Sequence, residues 1–575
     1  MSAESIGAGS LPGAMVQLAS RIVRQCGERD GPDGSALVSA CALALHQLSQ
    51  GHTRVDLSEG GRVLLSPRDP RSGSDRIEVA VPPHIRDALS RAASRSSALV
   101  ERMTASDVRE AHAPLVVEGD HLSLARCRND ESALALALRR RAHEWDDAAT
   151  RRADADRIAS LEGTALLDGA QREAVLCSAA RGLAIVTGGP GTGKTTVAAR
   201  IAAAHAHIMS VRGSRSAIRL LAPTGKAASR LSASFASAAA ALPEAHSGAL
   251  RGCLATTVHA ALQAREPDGL VRATMVIVDE ASMVDLALMR QLVDAVPAGA
   301  TLVVLGDRDQ LASVEAGTVL ADMTDSGSAI AQSVIRLERS HRFGGDSAVG
   351  TLARAVLDGD ADRAMALLGD GTSSDAASTA PSGVRIIRCQ SERDILHASL
   401  ETFRTHGSEV AILCAHRHGA TGTLELNRLF AEASGAPIAD ALSALHWDGR
   451  PVIVTENDRA LGLMNGDVGV MRAGADGRIA AWFPGRDEGV PASILPSAES
   501  AYALTVHKSQ GSEFDHVAVV LPAHPSPILT RELIFTGITR ARRSVTLIGP
   551  PERVREAIGR QVARASGLSE RLRIG

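Results

Sequence analysis

Lysine is almost missing. In 575 residues there are three, Lys194, Lys226 and Lys508, and arginine supplies the other 59 of 62 cationic side chains. A planar guanidinium cannot everywhere replace a compact ammonium, so the surviving lysines mark candidate positions, against chance survival of Lys226 and Lys508. Aromatics are also scarce: three Trp, one Tyr and seven Phe. Few side chains are left for stacking on bases, so phosphate and backbone contacts must dominate any grip on a single strand. There is no excess of positive charge, since the net charge is −3. A nucleic-acid site must therefore be a local groove and not a broadly basic face. Seven cysteines (Cys26, Cys41, Cys127, Cys177, Cys253, Cys389, Cys414) form no C-x-x-C pair. That gives no zinc or iron–sulfur signature and no disulfide framework, and fits a reducing compartment. No apolar run approaches a membrane span, and the start of the chain shows no basic-then-apolar signal pattern. The expected localisation is cytoplasmic.

Against these absences stands one dense motif, Gly188-Gly189-Pro190-Gly191-Thr192-Gly193-Lys194-Thr195, followed by Thr196. It has the G-x-x-x-x-G-K-[ST] pattern of a phosphate-binding loop. The apolar run 183–186 before it reads as a buried strand, and 196–204 after it reads as a helix, which is the context the motif requires. Glycines let successive N–H groups turn toward phosphate oxygens, and the helix N-terminus adds positive potential at the same place. Lys194 then reaches the β- and γ-phosphates of ATP and Thr195 holds Mg²⁺. Shortly before the loop, Gln171 stands where an amide can read adenine's donor and acceptor edge. Met275-Val276-Ile277-Val278-Asp279-Glu280 is a buried strand ending in two acids: Asp279 for Mg²⁺, Glu280 to polarise the attacking water. A further strand, 302–306, runs into Asp307-Arg308-Asp309-Gln310, where Gln310 is placed to sense the γ-phosphate.

The apolar share of 45% supports several cores, and the length suggests roughly three to four domains. Residues 1–110 read as a mostly helical docking domain without catalytic constellation. It has helical periodicity at 15–26 and 36–48, a turn at Gly51-His52-Thr53 into a short strand, and His52 in a structural role. Residues 113–124 read as a hairpin with a Gly119-Asp120 turn, and 131–158 as one long Ala/Arg-rich helix. The α/β pattern then gives one domain over 111–345 and a second over 346–575. A small β-barrel is inserted at about 450–500, with Trp482 and Phe483 in its core. Residues 220–228 read as a strand, a Pro-Thr-Gly turn and a helix start, and the Ala/Ser-rich stretch that ends at Thr256-Thr257-Val258-His259 reads as a surface loop. Pro223-Thr224-Gly225 is either a turn whose N–H groups hold a nucleic-acid phosphate or simply an α/β crossover turn.

Taken in order, the P-loop, Asp279-Glu280-Ala281-Ser282, Gly306-Asp307-Arg308-Asp309-Gln310, Thr505-Val506-His507-Lys508-Ser509-Gln510-Gly511 and Thr539-Arg540-Ala541 resemble superfamily 1 DNA helicases, specifically the RecD-like branch. The resemblance runs from about Gly163 to Gly549. It implies an α/β fold of two RecA-like parallel-sheet P-loop domains with Mg-ATP between them, single-stranded DNA across their top, and an SH3-like inserted barrel. It further implies Arg342 and Arg540 as arginine fingers, and Pro223, Thr224, Thr257, His259, His507 and Ser509 as DNA contacts. Movement is expected 5′→3′. The expected setting is a heterotrimer with RecB-like and RecC-like subunits acting on duplex DNA ends in double-strand-break repair. An autonomous RecD-like helicase is the alternative, disfavoured by the absence of helix-hairpin-helix repeats in the first 105 residues. A structural subunit with a vestigial ATPase is disfavoured by the intact nucleotide residues, and a nuclease by the lack of an acidic cluster with a nearby lysine outside the motor.

Overall fold

The computed structural model describes residues 11–28, 31–58, 61–65, 77–95, 97–161, 167–313, 315–341, 347–369, 383–435, 447–458, 460–474, 478–484, 486–495, 497–562 and 564–574. The N-terminal region carries the helices Gly13–Gln25, Pro32–Ser49 and Pro83–Ser94. It also carries six short strands: β1 (Arg54–Asp56), β2 (Arg62–Leu65), β3 (Ile77–Ala80), β4 (Val100–Met103), β5 (Leu115–Glu118) and β6 (His121–Leu124). Four of these form a sheet in the order β1-β6-β5-β4. The mostly helical reading thus missed a sheet. Strands of three or four residues show too few alternations to announce themselves against longer helices. The hairpin β5–β6 is where the sequence placed it, but it belongs to this sheet and not to the domain that follows.

The single helix read over 131–158 is two, Ala125–Arg141 and Ala148–Ala159. Periodicity continues across the gap, but a tertiary contact breaks it: the Trp145 N–H donates to the Ala180 carbonyl at 2.9 Å. Gly182 lies so close that a Cβ there would meet the Arg141 carbonyl at 2.9 Å.

The first α/β domain contains β7 (Leu183–Gly188), β8 (Ile218–Ala222), β9 (Ala255–Thr257), β10 (Met275–Val278), β11 (Thr301–Gly306) and β12 (Val334–Leu337). All are parallel, in the order β12-β7-β11-β10-β8-β9. Such strands are buried on both faces and read as continuous apolar runs. Their side chains alternate between two cores. Ile185, Val276, Val278, Leu302 and Val304 face one; Ala184, Val186, Ile277, Val303 and Leu305 face the other. The chain runs outward from β7 to one side and returns on the other at β12. This reversal leaves the C-terminal ends of β7, β10 and β11 adjacent, the usual place for a ligand in an open parallel sheet.

The second domain begins with β13 (Val384–Arg388) and β14 (Val410–Cys414). An antiparallel insertion follows: β15 (Pro451–Val454), β16 (Val468–Ala473), β17 (Ile479–Trp482), β18 (Val490–Pro491) and β19 (Ala498–Ser500). The parallel sheet then resumes with β20 (Ala503–Thr505), β21 (Phe514–Val520) and β22 (Ala541–Gly549), in the order β13-β22-β21-β14-β20. The insertion is a five-stranded sheet, β18-β17-β16-β15-β19. Phe483 lies in its core. Trp482 does not; it stands 37% exposed on the opposite face. No helix among the described residues is long and apolar enough to cross a membrane.

Candidate active site and nucleic-acid groove

The P-loop connects β7 to the helix Lys194–Val211. Gly191 and Gly193 have φ of 75° and 81°, a region that penalises any side chain. A Cβ on Gly188 would meet the Leu337 carbonyl and the Thr192 hydroxyl at 2.8 Å. The Lys194 ammonium donates to the Gly188 and Gly189 carbonyls at 2.6 and 3.0 Å. The loop is braced by β12's continuation, where the His341 N–H donates to the Gly191 carbonyl at 2.8 Å and the Ser340 hydroxyl to the Pro190 carbonyl at 3.0 Å.

Pro190, Gly191, Gly193, Lys194, Thr195 and Thr196 open onto a cavity of about 900 Å³ between the two parallel sheets. Asp279, Glu280, Gln310 and Arg540 line the same cavity. Gly188, Gly189 and Thr192 form the loop without lining it. Burial, reinforced by the neighbouring Glu280, holds the Asp279 carboxyl above the usual carboxylate range, against the pull of Lys194. Glu280 is the one non-glycine residue with positive φ among the described residues, at 52°. Strain of this kind persists where surrounding structure fixes a side chain for use. Its N–H donates to Asp279 Oδ1 at 2.8 Å.

Gln310 is buried and donates from Nε2 to Asp307 Oδ2 at 3.0 Å. Burial pushes the Asp307 carboxyl up to about 6, with Lys194 opposing. Arg540 is 3% exposed. It sits just past the helix Arg531–Ile538 and not on it, and donates to the carbonyls of Thr536 at 3.2 Å and Ser512 at 3.3 Å. Burial lowers its pKa, and the charges of Glu280 and Asp307 oppose that shift. Gln310 also adjoins the seam between domains: the next residue, Leu311, accepts from Gln510 Nε2 and donates to the Thr536 hydroxyl, both at 3.0 Å.

One expected residue does not line the cavity. Gln171 lies beneath the P-loop and its amide is engaged, Oε1 accepting from the Asp168 N–H at 3.1 Å and Nε2 donating to the Thr192 carbonyl at 3.0 Å. It caps the helix Gly169–Ala180 and does not line the cavity. Arg342 lies outside the described residues.

A second depression, of about 290 Å³, holds Pro223, Thr224, Thr257, His259 and His507 together. Lys226 and Lys508 line it too, so all three lysines of the chain face one of the two sites. Thr224 and Thr257 cap the helices Gly225–Ala240 and Val258–Gln263, accepting from the N–H groups of Ala227 and Ala260. Each hydroxyl proton stays available to donate. Burial lowers the pKa of His507 and of Lys226, with Asp467 opposing the latter. The far wall comes from the inserted sheet, through Ile453, Asn457, Asn465 and Gly466. No Phe, Tyr or Trp is among the lining residues. Ser509 is not brought to this groove: it is fully buried, and its hydroxyl donates to the Val506 carbonyl at 2.7 Å within its own turn.

Sequence reasoning missed Asp307, Arg230 and Glu513. Asp307 directly follows the buried strand β11, which was a usable signal. Arg230 and Glu513 also line the cavity. Arg230 is one arginine among many, on a stretch read as loop that is in fact the helix Gly225–Ala240.

Three parts of the chain match known families. Residues 9–122 match the family described as RecBCD enzyme subunit RecD, N-terminal domain. Residues 166–374 match an AAA domain, and 500–548 a UvrD-like helicase C-terminal domain. The RecBCD enzyme subunit RecD of Mycobacterium tuberculosis is 40% identical over 425 residues, 70% of this chain and 72% of that protein. The RecBCD enzyme subunit RecD of Haemophilus influenzae is 31% identical over 471 residues, 70% of this chain and 72% of that protein. The ATP-dependent RecD2 DNA helicase of Deinococcus radiodurans is 31% identical over 402 residues, 68% of this chain and 50% of that protein. With a RecD-type fold signature at its N-terminus and this identity across more than two thirds of both chains, the chain belongs to the RecD family.

Proposed function

We propose that this chain is an ATP-driven DNA helicase that works as a subunit of a RecBCD-like complex, beside RecB-like and RecC-like partners, on duplex DNA ends. One observation carries the reading: Lys194, Asp279, Glu280 and Gln310 of one domain and Arg540 of the other line a single cavity. Lys194 and the helix N-terminus bind the phosphates of ATP. The Thr195 hydroxyl and the Asp279 carboxylate are hard oxygen donors of the kind Mg²⁺ takes together with phosphate oxygens. An ion held there would neutralise phosphate charge. Glu280 accepts the proton of the attacking water, Gln310 senses the γ-phosphate, and Arg540 stabilises charge on the transferring group from across the cleft. Closing and opening of the cleft then moves the groove residues Pro223, Thr224, Thr257, His259 and His507 along a single strand, with the inserted sheet as an SH3-like wall. Direction 5′→3′ rests on the family resemblance. The match of residues 9–122 to the RecD N-terminal family favours the subunit over an autonomous helicase. The test is ATP turnover with and without single-stranded DNA, and strand displacement from duplexes with a 5′ or a 3′ overhang. Absence of DNA stimulation sinks the reading; unwinding from the 3′ overhang alone reverses the direction.

A further inference from the structure

Two segments contribute to both sites. In the first domain, Pro223, Thr224, Gly225 and Lys226 line the groove, while Ala227, Arg230 and Leu231 line the nucleotide cavity. These residues lead into and lie on one helix, Gly225–Ala240, where Thr224 to Arg230 spans about 9 Å of rise. In the second domain, His507, Lys508 and Gln510 line the groove, while Gly511 and Glu513 line the cavity. Each segment therefore runs from the groove to the cavity, and the two meet at Arg230. Its Nη1 donates to the Gly511 carbonyl at 2.9 Å, and its guanidinium pairs with the Glu513 carboxylate. Glu513 is only 10% exposed and also receives Arg542 at 3.3 Å. Between Gly511 and Glu513 lies Ser512, whose carbonyl accepts from Arg540. Arg230 thus holds the stretch from which Arg540 hangs, and it holds it from the helix that begins at the groove.

We propose that Arg230 is a positioning residue that couples the two sites: occupancy of the groove by a single strand is passed through the helix Gly225–Ala240 and Arg230 to residues 511–513, and so to Arg540. The proposal rests on the ATP and DNA sites assigned above. Arg230 is suited to the task. A guanidinium can hold a carbonyl and a carboxylate at once in a fixed fork, which one ammonium on a flexible stem does less well. The helix beneath it is stiff, capped by Thr224, and anchored by buried Leu231 and Phe235, so a displacement at the groove arrives at Arg230 instead of being absorbed.

The test is the coupling itself. The affinity of the full chain for a non-hydrolysable ATP analogue is measured with and without a saturating oligonucleotide, and the oligonucleotide's affinity with and without the analogue. Linkage requires the two ratios to be equal, and couplings of this kind are commonly about 5–150-fold. In Arg230→Ala and in Arg230→Gln both ratios should fall to near one, whatever each variant's affinity for either ligand alone. Arg230→Lys should keep part of the coupling by restoring the charge opposite Glu513. A mere interdomain brace would lower thermal stability and leave both ratios at the unsubstituted value, and that result overturns the proposal. Wild-type chain that binds both ligands with no coupling overturns it as well, with the site assignments intact. Wild-type chain that binds no nucleotide brings down the underlying reading and the proposal together. Circular dichroism of each variant confirms folding, and the glutamine variant, close to arginine's polar shape, keeps the test open should alanine fail to fold.

Discussion

The Lys194 ammonium is bound to two carbonyls of its own loop, and its charge also acts on Asp279 and Asp307. Removing it therefore leaves both carboxylates without the positive charge that most opposes their burial, and the phosphates without their cation. Lys194→Ala should abolish ATP hydrolysis while circular dichroism shows an intact fold. Lys194→Arg should also fail, because the broad guanidinium does not fit under the loop; near-normal turnover in that variant would show that the scarcity of lysine carries no information here. Glu280→Gln keeps the shape and removes the base, so turnover should drop by about 10²- to 10⁴-fold with analogue binding retained. Arg540→Ala removes a cation from across the cleft, and turnover should fall by about 10³- to 10⁵-fold. Equilibrium binding and turnover measured on one preparation decide the last case, since a loss confined to affinity contradicts a role in the chemical step. The residues legible in the sequence were those fixed by local pattern: the P-loop, and acids at the end of a buried strand. Gln171 has a second role that the sequence reading did not name: the amide that suits adenine also completes a capping box with Asp168. Arg230 and Glu513 were illegible because each acquires its meaning only from the other, 283 positions away in the chain.

At the scale of elements, long and strongly patterned pieces were legible and short or interrupted ones were not. Strands β7, β10 and β11 are runs of apolar residues with no competing interpretation. The strands of the N-terminal sheet are three or four residues long, and the helix after it is interrupted by contacts that its own periodicity does not record. The Ala/Ser-rich stretch read as loop is helical because its few large residues, Leu231 and Phe235, fall four apart and are buried on one face. Where this helix starts, it touches the inserted sheet. A Cβ on Gly225 would come within 2.6 Å of Met464 Cγ and 2.7 Å of its Cβ, too close without movement of the turn that carries Asn465 and Gly466 into the groove. Gly225→Ala should therefore displace that wall. Over-packing of this kind costs about 1–3 kcal/mol, small against the stability of a whole domain. The expected result is weaker single-strand binding with nucleotide affinity little changed, read by oligonucleotide titration and analogue titration on the same variant. Equal loss of both would place the effect on the domain fold and not on the groove.

At the scale of the whole molecule, residues 564–574 tie the N-terminal sheet and the helix after it to the first α/β domain. After the second domain the chain returns along 564–574. The Ala565 carbonyl accepts from the Thr53 N–H at 2.9 Å and the Ala565 N–H donates to His52 Nδ1 at 3.0 Å. Arg571 pairs with Glu118 and, at 3.5 Å, with Glu131. Glu131 in turn accepts from the Thr53 hydroxyl at 2.6 Å and the Gly567 N–H at 2.8 Å. Leu568 and Leu572 are buried in the core of the first α/β domain. Beside them, burial pushes the Asp322 carboxyl up to about 7, against hydrogen bonds from Ser566 and Thr318. A carboxyl that keeps its proton longer in the folded state contributes stability that is greatest at low pH. That contribution is lost as pH rises from the unfolded value near 4 through about 7. Asp322→Asn should remove this loss, so its melting temperature relative to wild type should be higher at pH 8 than at pH 5; a constant difference would contradict it. The same junction decides how the N-terminal region can be removed. A cut near Ser106 would strip β1 and β4 from the sheet and leave the hairpin β5–β6 bare, with Glu118 still holding Arg571. A start at Ala125 removes the sheet entire and keeps Glu131 with its partners on the tail. No residue lining the nucleotide cavity precedes Pro190, and none lining the groove precedes Pro223. The chain beginning at Ala125 should therefore keep DNA-stimulated ATP turnover, melt at a lower temperature, and fail to join RecB-like and RecC-like subunits in a pull-down. Retained assembly would move the docking surface to the second α/β domain or the inserted sheet. Loss of DNA binding with assembly retained would put the N-terminal sheet on the DNA path and favour a helicase that works alone.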